Sequence, residues 1–185
     1  KNKFQIKVRR HHMGKIALLL LAFAALVIPI PLTKGSITTP YHLINDQSKQ
    51  VECLAKNIYF ESRGESKKGQ VAVGFVTMNR LYNSKYPKSV CGVVYQKRGR
   101  ECQFSWVCKN HELISDKNSF NSILVLSRNL YYNFEDIKDP TNGSLFFCEQ
   151  RAFHTLKQYH NVRVMTKIGN HIFYKKHDAR NRTSI

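Results

Sequence analysis

A chain of 185 residues can hold one domain of ordinary size with its own core plus an appendage, and is barely long enough for two domains. Lys and Arg number 30 against 12 Asp and Glu, a formal net charge of +18, which suits a polyanion such as nucleic acid, anionic lipid or an acidic envelope polymer. No recognition helix or aromatic sheet motif accompanies that charge, so nucleic acid is not expected as a partner.

Residues 1–15 form a basic region, with Lys1, Lys3, Lys7, Arg9, Arg10 and Lys15 and no acidic side chain. The uncharged apolar run 16–33 that follows has the arrangement of an export signal or a membrane anchor. Pro29 and Pro31 favour the shorter, signal-like core, whereas no small-x-small cleavage site follows the run cleanly, so both readings stand. Either way the body is expected outside the cytoplasm, periplasmic or extracellular, and in the membrane through residues 16–33 if that hydrophobic helix is retained. Met13, directly before Gly14-Lys15, would make a conventional start and leave residues 1–12 as an extension. Residues 34–50 are mixed and polar and read as a linker.

The body is expected over 51–177, with a basic tail at 178–185. From Val51 the pattern turns helical, with Leu54 and Ile58 on one face, until Gly64 interrupts. A second helix beginning near Ser66 carries Val73, Val76, Thr77 and Arg80 in register and stops before Tyr86-Pro87. "SVCGVVYQ" is a short apolar segment, helix or strand, and "KRGRECQFSWVC" a basic loop entering an aromatic stretch. Ile123, Leu126 and Leu130 keep helical spacing. Asp139-Pro140-Thr141-Asn142-Gly143 is a turn, "SLFFC" a strand, and "VRVMTKIGNHIFYKK" two extended segments about a turn. The fold class is α+β, mostly helical with a small β element.

Of the five cysteines, Cys53, Cys91, Cys102, Cys108 and Cys148, none forms a C-x-x-C pair. A metal site is not expected, although His111 stands near Cys102 and Cys108. One or two disulfides fit an oxidising compartment, and the odd count leaves at least one thiol over.

The chemistry concentrates in "NIYFESRGES". Glu61 follows Ile58, Tyr59 and Phe60 at the end of a helix, where an apolar cleft and the helix dipole would both disfavour its charge and keep it protonated as a general acid. The plainer alternative is a surface glutamate paired with Arg63 or Lys67. Glu65 stands four residues on, near enough on a continuous helix for a carboxylate pair. Gly64 argues against that continuity, so Glu65 is expected to cap the next helix or to bind loop amides in support of Glu61.

"CLAKNIYFESRGES", "GQVAVGFVTMNR", "YPKSVCGVVYQ", "CQFSWVC", "DPTNGSLFF" and "TKIGNHIFY" occur in an order and spacing that resembles the SleB-like cell-wall hydrolase family, which includes spore-cortex-lytic enzymes. The resemblance spans roughly residues 51–175 and implies a lysozyme-like catalytic domain. It implies cleavage of peptidoglycan glycan strands between N-acetylmuramic acid and N-acetylglucosamine by lytic transglycosylation, with Glu61 as acid and then base and no cofactor. From the same motifs, Gln103 and Ser105 would contact the sugar and Phe104 would offer it a ring face, while Trp106 is either a second such face or core. His171 and Tyr174 match the closing motif, His171 as a cleft or a structural residue. A hydrolytic muramidase, an amidase and a non-catalytic envelope-binding protein are the alternatives. Nothing in the sequence speaks to oligomeric state.

Overall fold

Val51, Leu54, Ala55, Ile58 and Tyr59 recur at helical spacing and are all buried, which makes them the inner stripe of a helix. That helix, α1, runs over Tyr41–Ser62. The computed structural model describes residues 41–109, 113–159 and 161–177, so the apolar run 16–33 and the tail 178–185 lie outside the described residues. Of the expected linker at 34–50, residues 34–40 lie outside the described residues, and those from Tyr41 onward are the first turns of α1. Residues 46–49 are exposed there and carry no apolar repeat to betray a helix.

Helix α2, Lys67–Tyr82, starts where Ser66 accepts the Gly69 amide proton at 3.3 Å, an N-cap. It is buried on opposite sides. Phe75 and Met78 join Leu54, Ile58 and Tyr59 in the larger cluster, whereas Ala72, Val73 and Val76 pack on Ile168 and Phe173 of the sheet. Helix α2 therefore separates a helical layer from a small sheet, which is why its apolar residues go all round.

After α2 come α3 (Val90–Val94), the hairpin β1 (Lys97–Arg98) and β2 (Glu101–Cys102), and the single turn α4 (Ser105–Cys108). Helix α5, Lys117–Tyr132, is capped by Asp116, whose carboxylate accepts the Ser119 amide at 2.9 Å. It adds Ile123 and Leu130 to the helical core. Strand β3 (Phe146–Glu149), α6 (Gln150–Tyr159), β4 (Val162–Ile168) and β5 (His171–Lys176) close the described chain. The three strands are antiparallel in the order β3-β5-β4, with Phe146 opposite Tyr174 and Glu149 opposite His171. The fold class is α+β, as the sequence indicates. In the expected turn before β3, Asp139 accepts from the amides of Thr141 and Gly143, each at 2.7 Å.

Cys53 on α1 is bonded to Cys91 on α3, and Cys102 to Cys108. Cys148 on β3 is free, and burial pushes its thiol up from its ordinary value, which disfavours the reactive thiolate.

Gly74 marks the closest approach of the helices. A Cβ there would lie 2.6 Å from Leu130 Cδ2 and 2.8 Å from Ile58 Cδ1. Gly74→Ala is expected to cost about 1–3 kcal/mol through overpacking, despite alanine's better helix propensity. Equilibrium denaturation showing a neutral or stabilising change would contradict this packing.

Candidate active site

Glu61 is the penultimate residue of α1. The helix stops at Ser62, whose hydroxyl donates to the Ile58 carbonyl at 2.8 Å, and the chain then turns so that the Glu65 amide bonds Ser62 O at 2.9 Å. Gln70 on α2 holds this connection by donating to the carbonyls of Arg63 and Glu65 at 3.3 and 3.2 Å. The carboxyl of Glu61 is thereby aimed into the groove between the helical layer and the sheet. Burial pushes its pKa up to about 7 from an ordinary 4.5, against the opposing pull of Arg80 and Lys109. A carboxyl with that pKa carries its proton about half the time at neutral pH, so it can give or take one there.

Two cavities meet at Glu61. The larger, about 520 Å³, also takes in Gln103, Phe104, Ser105 and Tyr174, so candidate site residues from two separate segments converge with Glu61 on the same space. The other, about 410 Å³, is lined by Glu61, Glu65, Glu149, Asn170 and His171. A third hollow, lined by Phe60, Arg63, Ser105, Trp106 and Lys109 among others, shares Ser105 with the first.

The individual residues behave differently. Tyr174, on β5, is pushed up to about 12 by burial and so keeps its phenolic proton as a donor. Phe104 is buried, with the Arg80 guanidinium 5.2 Å from its ring centroid. Trp106 belongs to the core: its indole N–H donates to Asn57 Oδ1 at 3.2 Å, and its ring stacks on Phe60 at 4.7 Å. Asn57, fully buried, donates in turn to Thr77 at 3.0 Å. Of the two roles open to Trp106 in the sequence, the structural one holds.

Glu65 does not cap α2, since Ser66 does that. Its two carboxylate oxygens each lie 3.4 Å from the Asn170 amide nitrogen, which leaves it as the loop-amide acceptor that was the other expectation. The turn it holds contains Gly169 at φ +57°, where a Cβ would fall 2.0 Å from Glu65 Oε2, so any other residue would strain the backbone and displace the Glu65 carboxylate. His171 Nδ1 stands 3.6 Å from Glu65 Oε1, beyond hydrogen-bond reach, and the imidazole packs edge-on to Phe147. His171 is thus both a wall of the smaller cavity and a packed residue of the sheet.

Arg80, Tyr86, Arg98, Phe146, Phe147 and Lys176 line the larger cavity as well, and the sequence does not single them out for it. Arg80 is the one with a visible signal: a cation at a core-facing register position of an apolar helix. It is 2 % exposed, and its Nε donates to Leu145 O at 2.8 Å. Its guanidinium lies 5.5 Å from the ring centroids of both Tyr86 and Phe146.

A small antiparallel sheet is set against a helical core, with one desolvated carboxyl at a helix end between them. The chain belongs to the Hydrolase_2 family, Cell Wall Hydrolase, which matches residues 64–174. That match starts just past Glu61, so the case for Glu61 rests on the cleft itself. The chain is 28% identical over 145 residues to the spore cortex-lytic enzyme of Bacillus cereus, covering 78% of this chain and 50% of the relative. It is 41% identical over 49 residues to that of Bacillus subtilis, covering 26% of this chain and 16% of the relative. The chain thus spans about half the length of the more extensively matched relative, at 50%. Among solved structures it is similar to the catalytic domain of the germination-specific lytic transglycosylase SleB from Bacillus anthracis, with TM-score 0.51, 28% identity, and coverage of 68% of this chain and 93% of that one. The catalytic domain of the Bacillus cereus SleB protein gives TM-score 0.52 and 27% identity, with coverage of 68% and 89%.

Proposed function

We propose that this domain cleaves peptidoglycan glycan strands between N-acetylmuramic acid and N-acetylglucosamine as a lytic transglycosylase, with Glu61 as the only proton-transferring carboxyl. Protonated Glu61 gives its proton to the bridging glycosidic oxygen as the bond from the muramyl C1 breaks, and the N-acetylglucosamine end leaves as an alcohol. The Glu61 carboxylate then takes the proton of the muramyl C6 hydroxyl as that oxygen bonds C1. The product is a 1,6-anhydro-muramyl end, and Glu61 returns to its acid form without consuming water.

The observation that carries this reading is the state of the carboxyls at the cleft. Glu61 is desolvated and has no salt-bridge partner among the described residues, whereas Glu65 is placed on the Asn170 amide and Glu149 is paired with Arg151. The Bacillus anthracis relative is a germination-specific lytic transglycosylase, which supports the same chemistry. In this reading Gln103, Ser105 and Tyr174 hydrogen-bond the sugars, Phe104 and His171 shape the walls, and Glu65 fixes the loop behind Glu61. The two disulfides fit an exported domain working in the cell wall, carried or anchored there by residues 16–33.

The pH dependence follows from the same carboxyl. The first step needs the protonated form, so the rate should hold below about pH 6 and fall roughly tenfold per unit well above pH 7. Release of soluble muropeptides from purified sacculi across pH reads this directly. No release at any pH removes the cleavage reading, and a rate that climbs through pH 8 removes Glu61 as the acid.

A further inference from the structure

The proton chemistry uses Glu61 and leaves the charge around it unexplained. The larger cavity is lined by three cations, Arg80, Arg98 and Lys176, against the single carboxyl of Glu61. Arg80 carries the argument furthest. Its Nη1 is buried and has no hydrogen-bond partner, although its Nε is satisfied by Leu145 O, and a desolvated guanidinium nitrogen without an acceptor is costly. The rings of Tyr86, Phe104 and Phe146 around it favour a cation but supply no counter-charge.

Lys176, at the exposed end of β5, places its Nζ 5.0 Å from the centroid of the Phe146 ring that also attends Arg80. Arg98 comes from the β1–β2 hairpin, where it is exposed and pairs across to Glu101 only through the backbone ladder. The ion pairs of the described residues involve none of the three. Glu61, a single carboxyl whose charge burial disfavours, cannot balance three cations. What the cavity lacks is an anion, and its glycan substrate has one to offer.

We propose that this part of the cleft is an anion subsite taking a carboxylate borne by the muramyl residue, on its lactyl ether or on the peptide attached there, so that acidic strands are selected over neutral N-acetylglucosamine polymers. Arg80 is the desolvated anchor, suited to a planar carboxylate by its fork of donors. Arg98 and Lys176 supply the exposed, salt-sensitive share of the attraction. The proposal rests on the cleft being the glycan site, as proposed above, and adds which strands it accepts.

The test reads binding without turnover. Glu61→Gln protein is titrated calorimetrically with three soluble tetrasaccharides: the neutral N-acetylglucosamine tetramer, a muramyl tetrasaccharide with free lactyl carboxylates, and the same tetrasaccharide carrying peptides. At low salt at least one acidic ligand should bind about tenfold more tightly than the neutral one, and the tighter of the two identifies the carboxylate. The preference should shrink with added salt and fall below about threefold when Arg98→Gln and Lys176→Gln are added together. Equal affinity for all three ligands overturns the proposal, as does a preference that neither added salt nor the two substitutions reduce. A charge preference in a protein whose wild type releases nothing from sacculi would overturn the cleavage reading alone.

Discussion

Glu61→Gln should lower the rate of strand cleavage by about 10²- to 10⁴-fold, the loss expected when a positioned general acid and base is removed. Glutamine fills the same space and can still donate a hydrogen bond, but it cannot release a proton to the leaving oxygen or take one from the attacking hydroxyl. The substitution should also stabilise the fold at alkaline pH, a readout of the carboxyl's burial that is independent of the activity. The Glu61 carboxyl is raised from 4.5 to about 7, so across that window the native state holds a proton that the unfolded chain has released. Stability therefore falls as pH rises through the window, by up to about 3 kcal/mol at about 1.36 kcal/mol per unit. Urea denaturation at about pH 4 and about pH 8 should show wild type losing ground to the variant between them. An inactive variant with no such pH-dependent gain would mean that Glu61 is not desolvated, and an active variant would remove it from the chemistry.

Removing the Cys53–Cys91 bond, as Cys53→Ala with Cys91→Ala, should have the largest effect on stability. The bond closes a separation of 38 residues and fastens α3 to α1, where the chain-entropy estimate gives about 4 kcal/mol. The Gln50 side chain also joins these helices, accepting the Cys91 amide at 3.0 Å, so the substituted chain should keep its fold while melting about 10 °C or more lower. The Cys102–Cys108 bond spans only 6 residues, for which the same estimate gives about 2 kcal/mol. Its loop carries Gln103, Phe104 and Ser105, so its loss should be felt more in activity than in melting. Equal thermal losses for the two bonds would contradict this division.

Much of the fold could be read along the chain because local chemistry and global packing agree in it. Ser66 has the hydroxyl for a cap and stands at the start of α2, and the apolar segments around Gly169 become β4 and β5. What stayed hidden lacks punctuation. Helix α6 begins at Gln150 directly after β3 ends at Glu149, with no glycine, proline or capping residue between strand and helix to announce the change. Residues 46–49 of α1 are polar and exposed, so composition alone reads them as linker.

The site was legible where a motif kept its residues together, as in Gln103, Phe104 and Ser105, and where a carboxyl sat at a helix end behind aromatic residues. The cations were not, because what makes Arg80 unusual is its burial among rings from three other segments. Periodicity registers only its place on the helix. Trp106 shows the reverse limit: in sequence an aromatic beside a polar motif reads equally as a sugar platform or as core, and only the bond to Asn57 separates the two.

The claim that the muramyl C6 hydroxyl, and not water, completes the cleavage that Glu61 begins is tested most directly by the new ends it creates. Sacculi digested in water labelled with heavy oxygen, with the muramyl ends then weighed by mass spectrometry, should yield 1,6-anhydro ends that are one water lighter than hydrolysed ends and carry no label. Reducing ends bearing the heavy oxygen would contradict the account, since they mean that water and not the muramyl C6 hydroxyl attacks C1.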